Sequence, residues 1–90
     1  MSATLVIRHR VDEYATWREL YDSLDYLRAQ HGCTEDRVWR LNDNANDVLV
    51  THDFATADQA AGFARDPELA AGMQRGGVSG SARIEIFTDA

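Results

Sequence analysis

The chain has 90 residues, of which 44% are hydrophobic and 27% charged, and its formal net charge is −6. This length predicts one domain over residues 1–90, and the acidic balance, in which every basic residue is a scattered arginine, argues against a nucleic-acid partner. A chain this short buries only about 60–65% of the surface that it exposes when unfolded. We therefore expect a low free energy of unfolding unless a partner subunit adds buried area.

Cysteine and histidine usage argues against disulfide and metal sites. The single cysteine, Cys33, cannot form an internal disulfide, and the histidines at 9, 31 and 52 lack metal-ligand spacing. The longest uninterrupted apolar run has three residues, far fewer than a membrane span needs. The first residues show neither a basic region nor a small-residue cleavage site. We therefore expect a reduced, cytoplasmic protein with no metal and no membrane contact.

The first half of the chain predicts a strand, a helix and a second strand. Residues 3–11 are rich in β-branched side chains, which favours a strand. Asp12 is a plausible N-cap for the helix that follows. Its large apolar residues recur at helical spacing and end before Gly32, which suits a left-handed C-cap. Those residues are at positions 14, 17, 20, 21, 24 and 27.

The second half predicts a hairpin, two short helices and a last strand. Strands at 33–41 and 48–54 flank a turn rich in Asn and Asp at 42–47. Thr56 and Gln59 match a capping box, and the helix must stop or kink at the Asp66–Pro67 pair, where a shorter helix can begin. Residues 75–81 are predicted as a flexible connector, and residues 82–87 as the last strand.

The order β-α-β-β-α-β predicts a ferredoxin-like α+β fold, with a four-stranded antiparallel sheet and both helical regions on one face. Strand alternation nevertheless places apolar residues on the open face too, among them Val6, Leu49 and Phe87. An apolar patch of that size favours a homodimer packed through the open sheet face. We expect Arg83 and Glu85 at that interface or its rim, and Trp39 either in the interface or capping the pocket.

Three stretches carry a resemblance to a known family: "VIRHRVDEYATWRELYD" at 6–22, "DVLVTHDF" at 47–54 and "DPELAAGMQRGGVSG" at 66–80. Through them the chain resembles the dimeric α+β barrel superfamily, and most of all the small antibiotic-biosynthesis-monooxygenase-like proteins, some of which are cyclases. The resemblance implies a pocket in each subunit between helices and sheet, lined by the first helix. It also implies chemistry without a cofactor. The haem-degrading branch of this superfamily combines an Asn, a Trp and a His. Asn42, Asn44 and Asn46 are all predicted in the turn, so the resemblance does not favour haem degradation.

His9 is the candidate catalytic residue. It shares a strand face with Leu5 and Ile7, precedes the aromatic helix, and could act as a general base on a phenolic or α-keto proton. The alternative is a histidine that is hydrogen-bonded to backbone where strand meets helix. The candidate substrate-binding residues are Tyr14, Trp17, Tyr21, Leu24 and His52, although the aromatic stripe could equally be core packing.

Two functions remain open. The first is a small enzyme of secondary or aromatic metabolism, a cofactor-independent monooxygenase or cyclase that acts on a flat aromatic or polyketide-like substrate. The second is a non-catalytic dimeric ligand-binding or accessory domain. The enzyme hypothesis predicts an enclosed cavity of a few hundred Å³ beside His9, Tyr14 and Trp17, which is the size of small-molecule pockets. The alternative predicts that the aromatic side chains fill this space.

Overall fold

The computed structural model describes residues 2–90, which form four strands and four short helices. In chain order these are β1 (Ala3–Val11), α1 (Tyr14–Ser23), α2 (Asp25–Gln30), β2 (Glu35–Leu41), β3 (Asn44–Phe54), α3 (Ala57–Ala64), α4 (Pro67–Arg75) and β4 (Val78–Thr88). All neighbouring strands are antiparallel, in the order β2-β3-β1-β4. The predicted ferredoxin-like α+β fold is therefore confirmed, with each predicted crossover built from two short helices.

Alternation along the two central strands decides which side chains face the helices. In β1 the side chains of Leu5, Ile7 and His9 are buried, whereas Arg8 and Arg10 between and beyond them are exposed. In β3 the side chain of Val50, which pairs with Ile7, is buried on the same face of the sheet. His9 thus shares a strand face with Leu5 and Ile7, as predicted, and the structure shows that this face is the one toward the helices.

The start of the first helix differs from the prediction. Glu13, and not Asp12, occupies the N-cap position, and its side chain makes no capping hydrogen bond. Instead, the backbone N–H of Tyr14 donates to Oδ1 of Asn46 on β3, at 3.0 Å. The predicted Asp12 cap is wrong because the helix begins two residues later, at Tyr14, while the Asp12 N–H donates to the carbonyl oxygen of Gly77, at 2.9 Å.

The predicted continuous helix is also interrupted, at Leu24, where the backbone turns out of helical geometry with φ −95° and ψ 15°. α2 then continues the same buried stripe through Leu27. The interruption leaves the apolar spacing intact, which is why periodicity alone did not reveal it. Gly32 adopts the predicted left-handed conformation, with φ +81°.

The capping box of Thr56 and Gln59 and the Asp66 cap followed by Pro67 are both confirmed. Three strand starts were wrong. β2 begins at Glu35 and not at Cys33. β3 begins at Asn44, so Asn44 and Asn46 belong to a strand and not to the turn. β4 begins at Val78, inside the predicted connector.

The early start of β4 is accommodated by an irregularity opposite His9. Arg8 pairs with Arg83, and Arg10 pairs with Ser79, so β4 uses two more residues than β1 over this step. Gly80 lies in that excess with φ +73°, a conformation that favours glycine. The sheet therefore opens locally on the β4 side of His9.

The open face of the sheet carries exposed apolar side chains. Trp39 pairs with Leu49 across β2 and β3, and its side chain is 42% exposed, while Phe87 on β4 is 55% exposed. The Arg83 guanidinium donates to both carboxylate oxygens of Glu85, at 3.0 and 3.2 Å, near Leu49. This placement of Trp39 puts it away from the helix-side pocket. Across residues 2–90, no helix is both long and apolar enough to cross a membrane.

Replacing Asn46 with Ala should lower the free energy of unfolding by about 1 kcal/mol, because the Tyr14 N–H at the start of α1 loses its acceptor. Urea denaturation measures the change. Asn42→Ala is the matched control, since Asn42 is exposed in the neighbouring turn, and should stay within about 0.5 kcal/mol of the parent. Equal losses in the two variants would contradict the cross-strand cap.

Candidate functional site

A small cavity lies between the sheet, α1 and α2, with α3 and α4 closing its far wall. Its volume is about 40 Å³. Of the six candidate residues, His9 and four others line it, whereas Tyr14 does not. The full lining is Ile7, His9, Trp17, Leu20, Tyr21, Leu24, Arg28, Val50, His52, Phe63, Leu69, Gly72 and Met73.

The cavity is smaller than predicted. A volume of about 40 Å³ accommodates one or two waters, whereas drug-sized ligands occupy roughly 300–1,000 Å³. The expected enclosure of a few hundred Å³ is therefore not present in this structure. The rings of Trp17 and Tyr21 stack beneath α1 and occupy part of this space.

Those rings form a continuous series beneath the helices. Trp17 makes a T-shaped contact with His9 at a centroid distance of 5.6 Å and stacks on Tyr21 at 5.0 Å. Tyr21 is followed by His52 at 6.4 Å, and His52 by Phe63 at 5.0 Å. The two imidazoles are thus embedded in one aromatic layer.

Tyr14 lies at the outer end of this series, beside Trp17 at 5.8 Å. Its hydroxyl accepts a hydrogen bond from Arg18 at 3.4 Å, and the Arg40 guanidinium covers its ring at 4.2 Å. Tyr14 therefore connects the aromatic series to solvent-facing arginines and does not form part of the cavity wall.

His9 is only 5% exposed, and neither of its ring nitrogens has a hydrogen-bond partner within residues 2–90. The alternative of a histidine bonded to backbone is thus not what the structure shows. Burial lowers the pKa of His9 below its usual value, and the Asp47 carboxylate opposes that shift more weakly. A neutral imidazole at neutral pH keeps one nitrogen free to accept a proton.

Asp47 is held as a carboxylate by Arg8 on the open face. The Arg8 guanidinium donates to both carboxylate oxygens, at 3.1 and 3.0 Å, and lowers the pKa of Asp47. The negative charge therefore persists close to His9, where it would stabilise the imidazolium that forms when His9 takes up a proton.

His52 lies deeper, with 2% exposure and with Nδ1 unpartnered in the described part of the chain. Burial, reinforced by the charge of Arg28, lowers the pKa of His52 to about 4. Asp53 points to the other face, where it accepts a hydrogen bond from Thr4 at 2.8 Å. The predicted separation of His52 from Asp53 is therefore confirmed.

Sequence reasoning missed Arg28 on α2. Its guanidinium stacks over the Tyr21 ring at 3.9 Å and donates to the Tyr21 carbonyl oxygen at 3.0 Å. Asp36 on β2 accepts a hydrogen bond from the Tyr21 hydroxyl, and burial together with this bond raises the pKa of Tyr21. A signal was present, because position 28 follows 21 and 24 at helical spacing and so belongs to the same face.

The helical wall of the cavity depends on two glycines of α4 and its C-terminus. A Cβ at Gly72 would lie 2.6 Å from Cδ1 of Leu24, and one at Gly76 would lie 2.7 Å from Cδ2 of Leu20. These glycines let α4 approach α1 closely, so the ends of two flexible leucine side chains form part of the wall. Within residues 2–90, no three His, Cys, Asp or Glu side chains are grouped to hold a metal ion.

The sequence matches no family model and no curated protein. Solved structures, in contrast, match over almost the whole chain. SnoaB, a cofactor-independent oxygenase from Streptomyces nogalater, has a TM-score of 0.80 and 15% identity, covering 99% of this chain and 93% of SnoaB. This chain has the fold of the antibiotic-biosynthesis-monooxygenase-like proteins.

Two further structures support that assignment of fold. A candidate antibiotic biosynthesis monooxygenase from Bordetella bronchiseptica has a TM-score of 0.81 and 10% identity, covering 99% of this chain and 97% of the other. A similar one from Caulobacter crescentus has a TM-score of 0.78 and 16% identity, covering 99% and 90%. The resemblance inferred from sequence is therefore confirmed at the level of the monooxygenase-like fold.

The low pKa of His52 predicts acid sensitivity. The unfolded chain protonates this histidine as pH falls through about 6.5, whereas the folded chain resists until about 4, so stability is lost across that window. The free energy of unfolding that is lost through His52 across this window is about 3 kcal/mol. Urea denaturation between pH 7.5 and 4.5 should show a flatter pH dependence in His52→Leu than in the parent. Parallel curves would contradict the buried neutral imidazole.

Proposed function

We propose that this chain is a cofactor-independent monooxygenase that acts on a flat aromatic or polyketide-like substrate, with His9 as its general base. The observation that carries the proposal is the buried, unpartnered His9 imidazole beside an apolar cavity lined by Trp17 and Tyr21. A neutral imidazole in such surroundings suits proton abstraction, which commonly contributes 10²–10⁴-fold to an enzyme's rate. The cofactor-independent oxygenase activity of SnoaB, on the same fold, supports this choice of reaction.

The proposed reaction needs a substrate with an acidic methylene group between conjugated rings. His9 takes one proton, and the resulting carbanion transfers one electron to O₂, which gives a radical pair. The pair combines to a peroxide anion, which takes the proton back from His9 and becomes a hydroperoxide. The hydroperoxide then loses water, with the second methylene hydrogen, and leaves a carbonyl group on the former methylene carbon. One oxygen atom enters the product, the other leaves in water, and the carbon supplies all four electrons.

Binding requires the cavity to enlarge, and the packing of the helices supports such a change. The backbone of α3 lies close to β1, β3 and β4, whereas the rings of Trp17 and Tyr21 separate α1 from the strands. Leu20, Leu24 and Met73 form the wall on the helical side, and their side chains can change rotamer. In our proposal the substrate ring contacts the parts of Trp17 and Tyr21 that line the cavity, with His52 at the inner end.

We also propose a homodimer that packs through the open sheet face. Trp39, Leu41 and Phe87 are all more than two-fifths exposed, and aromatic residues of this kind are enriched in protein interfaces. Leu49 lies between β1 and β2 on the same face. Covering this patch would add the buried area that a 90-residue chain otherwise lacks.

A second candidate function is a non-catalytic ligand-binding or accessory domain. The specific observation in its favour is the cavity volume of about 40 Å³, because most of the space beneath α1 is occupied by side chains. This alternative and the oxygenase make opposite predictions about turnover.

Oxygen uptake with hydroxylated anthrones, which carry an acidic methylene between two aromatic rings, tests the oxygenase. We expect His9→Ala to lower the rate at least 100-fold, through loss of the base. His31→Gln is the control and should keep the parental rate, because His31 lies outside the cavity and contacts Asp66. Full activity in His9→Ala would refute the role of His9, and no uptake by the parent would favour the binding domain.

Light scattering tests the dimer. We expect the parent at twice the mass of the chain and Leu49→Arg at the mass of one chain, because a buried unpaired charge would oppose packing of the open faces. Glu19→Arg places the same side chain on the exposed side of α1 and should leave the dimer intact. A monomeric parent, or a dimeric Leu49→Arg, would contradict the proposed interface.

A further inference from the structure

Arg28 gives the cavity a buried positive charge that the proposed oxygenation does not use. We propose that Arg28 binds a carboxylate of the substrate, so that the ligand is a flat aromatic acid held with its ring between Trp17, Tyr21 and the sheet. This inference rests on the proposed function only in assigning the same pocket to the substrate. Arg28 is thereby a specificity-determining residue for a negatively charged ligand.

The hydrogen bonding of Arg28 supports this role. A guanidinium has five N–H groups, and the Arg28 side chain is only about one-tenth exposed. Within residues 2–90 it makes one hydrogen bond, to the Tyr21 carbonyl oxygen. The other N–H groups of Arg28 have no hydrogen-bond partner in the described chain, and a carboxylate matches a guanidinium with two parallel bonds.

The neighbouring carboxylate does not satisfy those donors. Oδ2 of Asp36 lies 3.8 Å from Nε of Arg28, which is an ion-pair distance but too long for a hydrogen bond. The same oxygen accepts the Tyr21 hydroxyl, and the Asp36 side chain is 37% exposed. Asp36 therefore offsets the charge of Arg28 in part and leaves its N–H groups available for a ligand.

Arg28 also decides the sign of the charge that the cavity favours. Both lining imidazoles have a lowered pKa, that of His52 partly because of Arg28 itself, so they are uncharged at neutral pH. Among the residues that line the cavity, the guanidinium is then the only charged group. In surroundings of low dielectric this charge attracts an anion far more strongly than the same group would in water.

Sheet register places this charged end away from His9. The charge of Arg28 lowers the pKa of His52. His52 pairs with Leu5, which lies four residues before His9 along β1. At about 3.3 Å per residue, that separation is roughly 13 Å. Ile7 and Val50 lie between the two ends. An aromatic acid of two or three fused rings, held at Arg28, would therefore present its far edge to His9.

Isothermal titration calorimetry at pH 7.5 with naphthalene-2-carboxylate and naphthalene-2-carboxamide tests the assignment, since the two probes share one shape and differ in charge. We expect the parent to bind the carboxylate at least 10-fold more tightly than the amide. Arg28→Met should abolish that preference, and Arg28→Lys should keep part of it. Asp36→Asn, which removes the competing charge, should tighten carboxylate binding several-fold.

Arg37→Met is the matched control, because Arg37 also stacks on an aromatic ring, that of Trp39 at 3.8 Å, but on the open face. It should keep the parental preference. Equal binding of both probes by the parent, no binding of either, or a preference that survives in Arg28→Met would overturn the proposal. If circular dichroism shows that Arg28→Met does not fold, Asp36→Asn becomes the deciding variant. Unchanged or weaker binding of the carboxylate by Asp36→Asn would then overturn the proposal.

The binding measurement is independent of turnover. A carboxylate preference in a chain that consumes no oxygen would leave the role of Arg28 intact and refute the oxygenase. His9→Ala, which removes the proposed base, should retain the preference. Oxygen uptake without any carboxylate preference would refute the role of Arg28 and leave the oxygenase intact.

Discussion

Trp17 and Tyr21 stack with their ring centroids 5.0 Å apart and fill the layer between α1 and the sheet. The sheet-facing side of the layer packs on Val48 and Val50, and its ends meet His9 and His52. Because these large rings hold α1 above the strands, a small cavity remains beneath the helix. The face of Tyr21 is also the surface on which the buried guanidinium of Arg28 stacks. Both proposed features of the site therefore depend on this one stack.

Local rules were sufficient for most of the fold. Period-two burial in β1, the Thr56 capping box and the Asp66–Pro67 helix start each follow from a few neighbouring residues, and each is present. The errors arose where distant residues decide the outcome. Asn46 caps α1 from another strand, which no local pattern can show. The irregularity of β4 beside Gly80 likewise depends on pairing with a strand some seventy residues earlier.

The candidate site was predictable in its faces but not in its volume. Helical periodicity placed Trp17, Tyr21 and Leu24 on one face of the helix, whereas the sheet face of His9 and His52 was left open, and all five line the cavity. Whether such surfaces leave a void depends on how closely the helices approach one another. Here that approach is set by Gly72 and Gly76, far along the chain. Arg28 was overlooked because a charged residue at helical spacing is usually interpreted as a solvated position, although its long stem can lie along a buried stripe.

The two buried imidazoles are difficult to explain by stability alone. A buried polar group without a hydrogen bond costs about 1–3 kcal/mol, and three ring nitrogens here lack partners in the described chain. A leucine or phenylalanine at either position would pack against the same aromatic neighbours without that cost. A domain of 90 residues has little stability to spare. Departures from good packing that cluster in one cavity, beside a buried guanidinium with unused donors, are characteristic of a site shaped for a ligand.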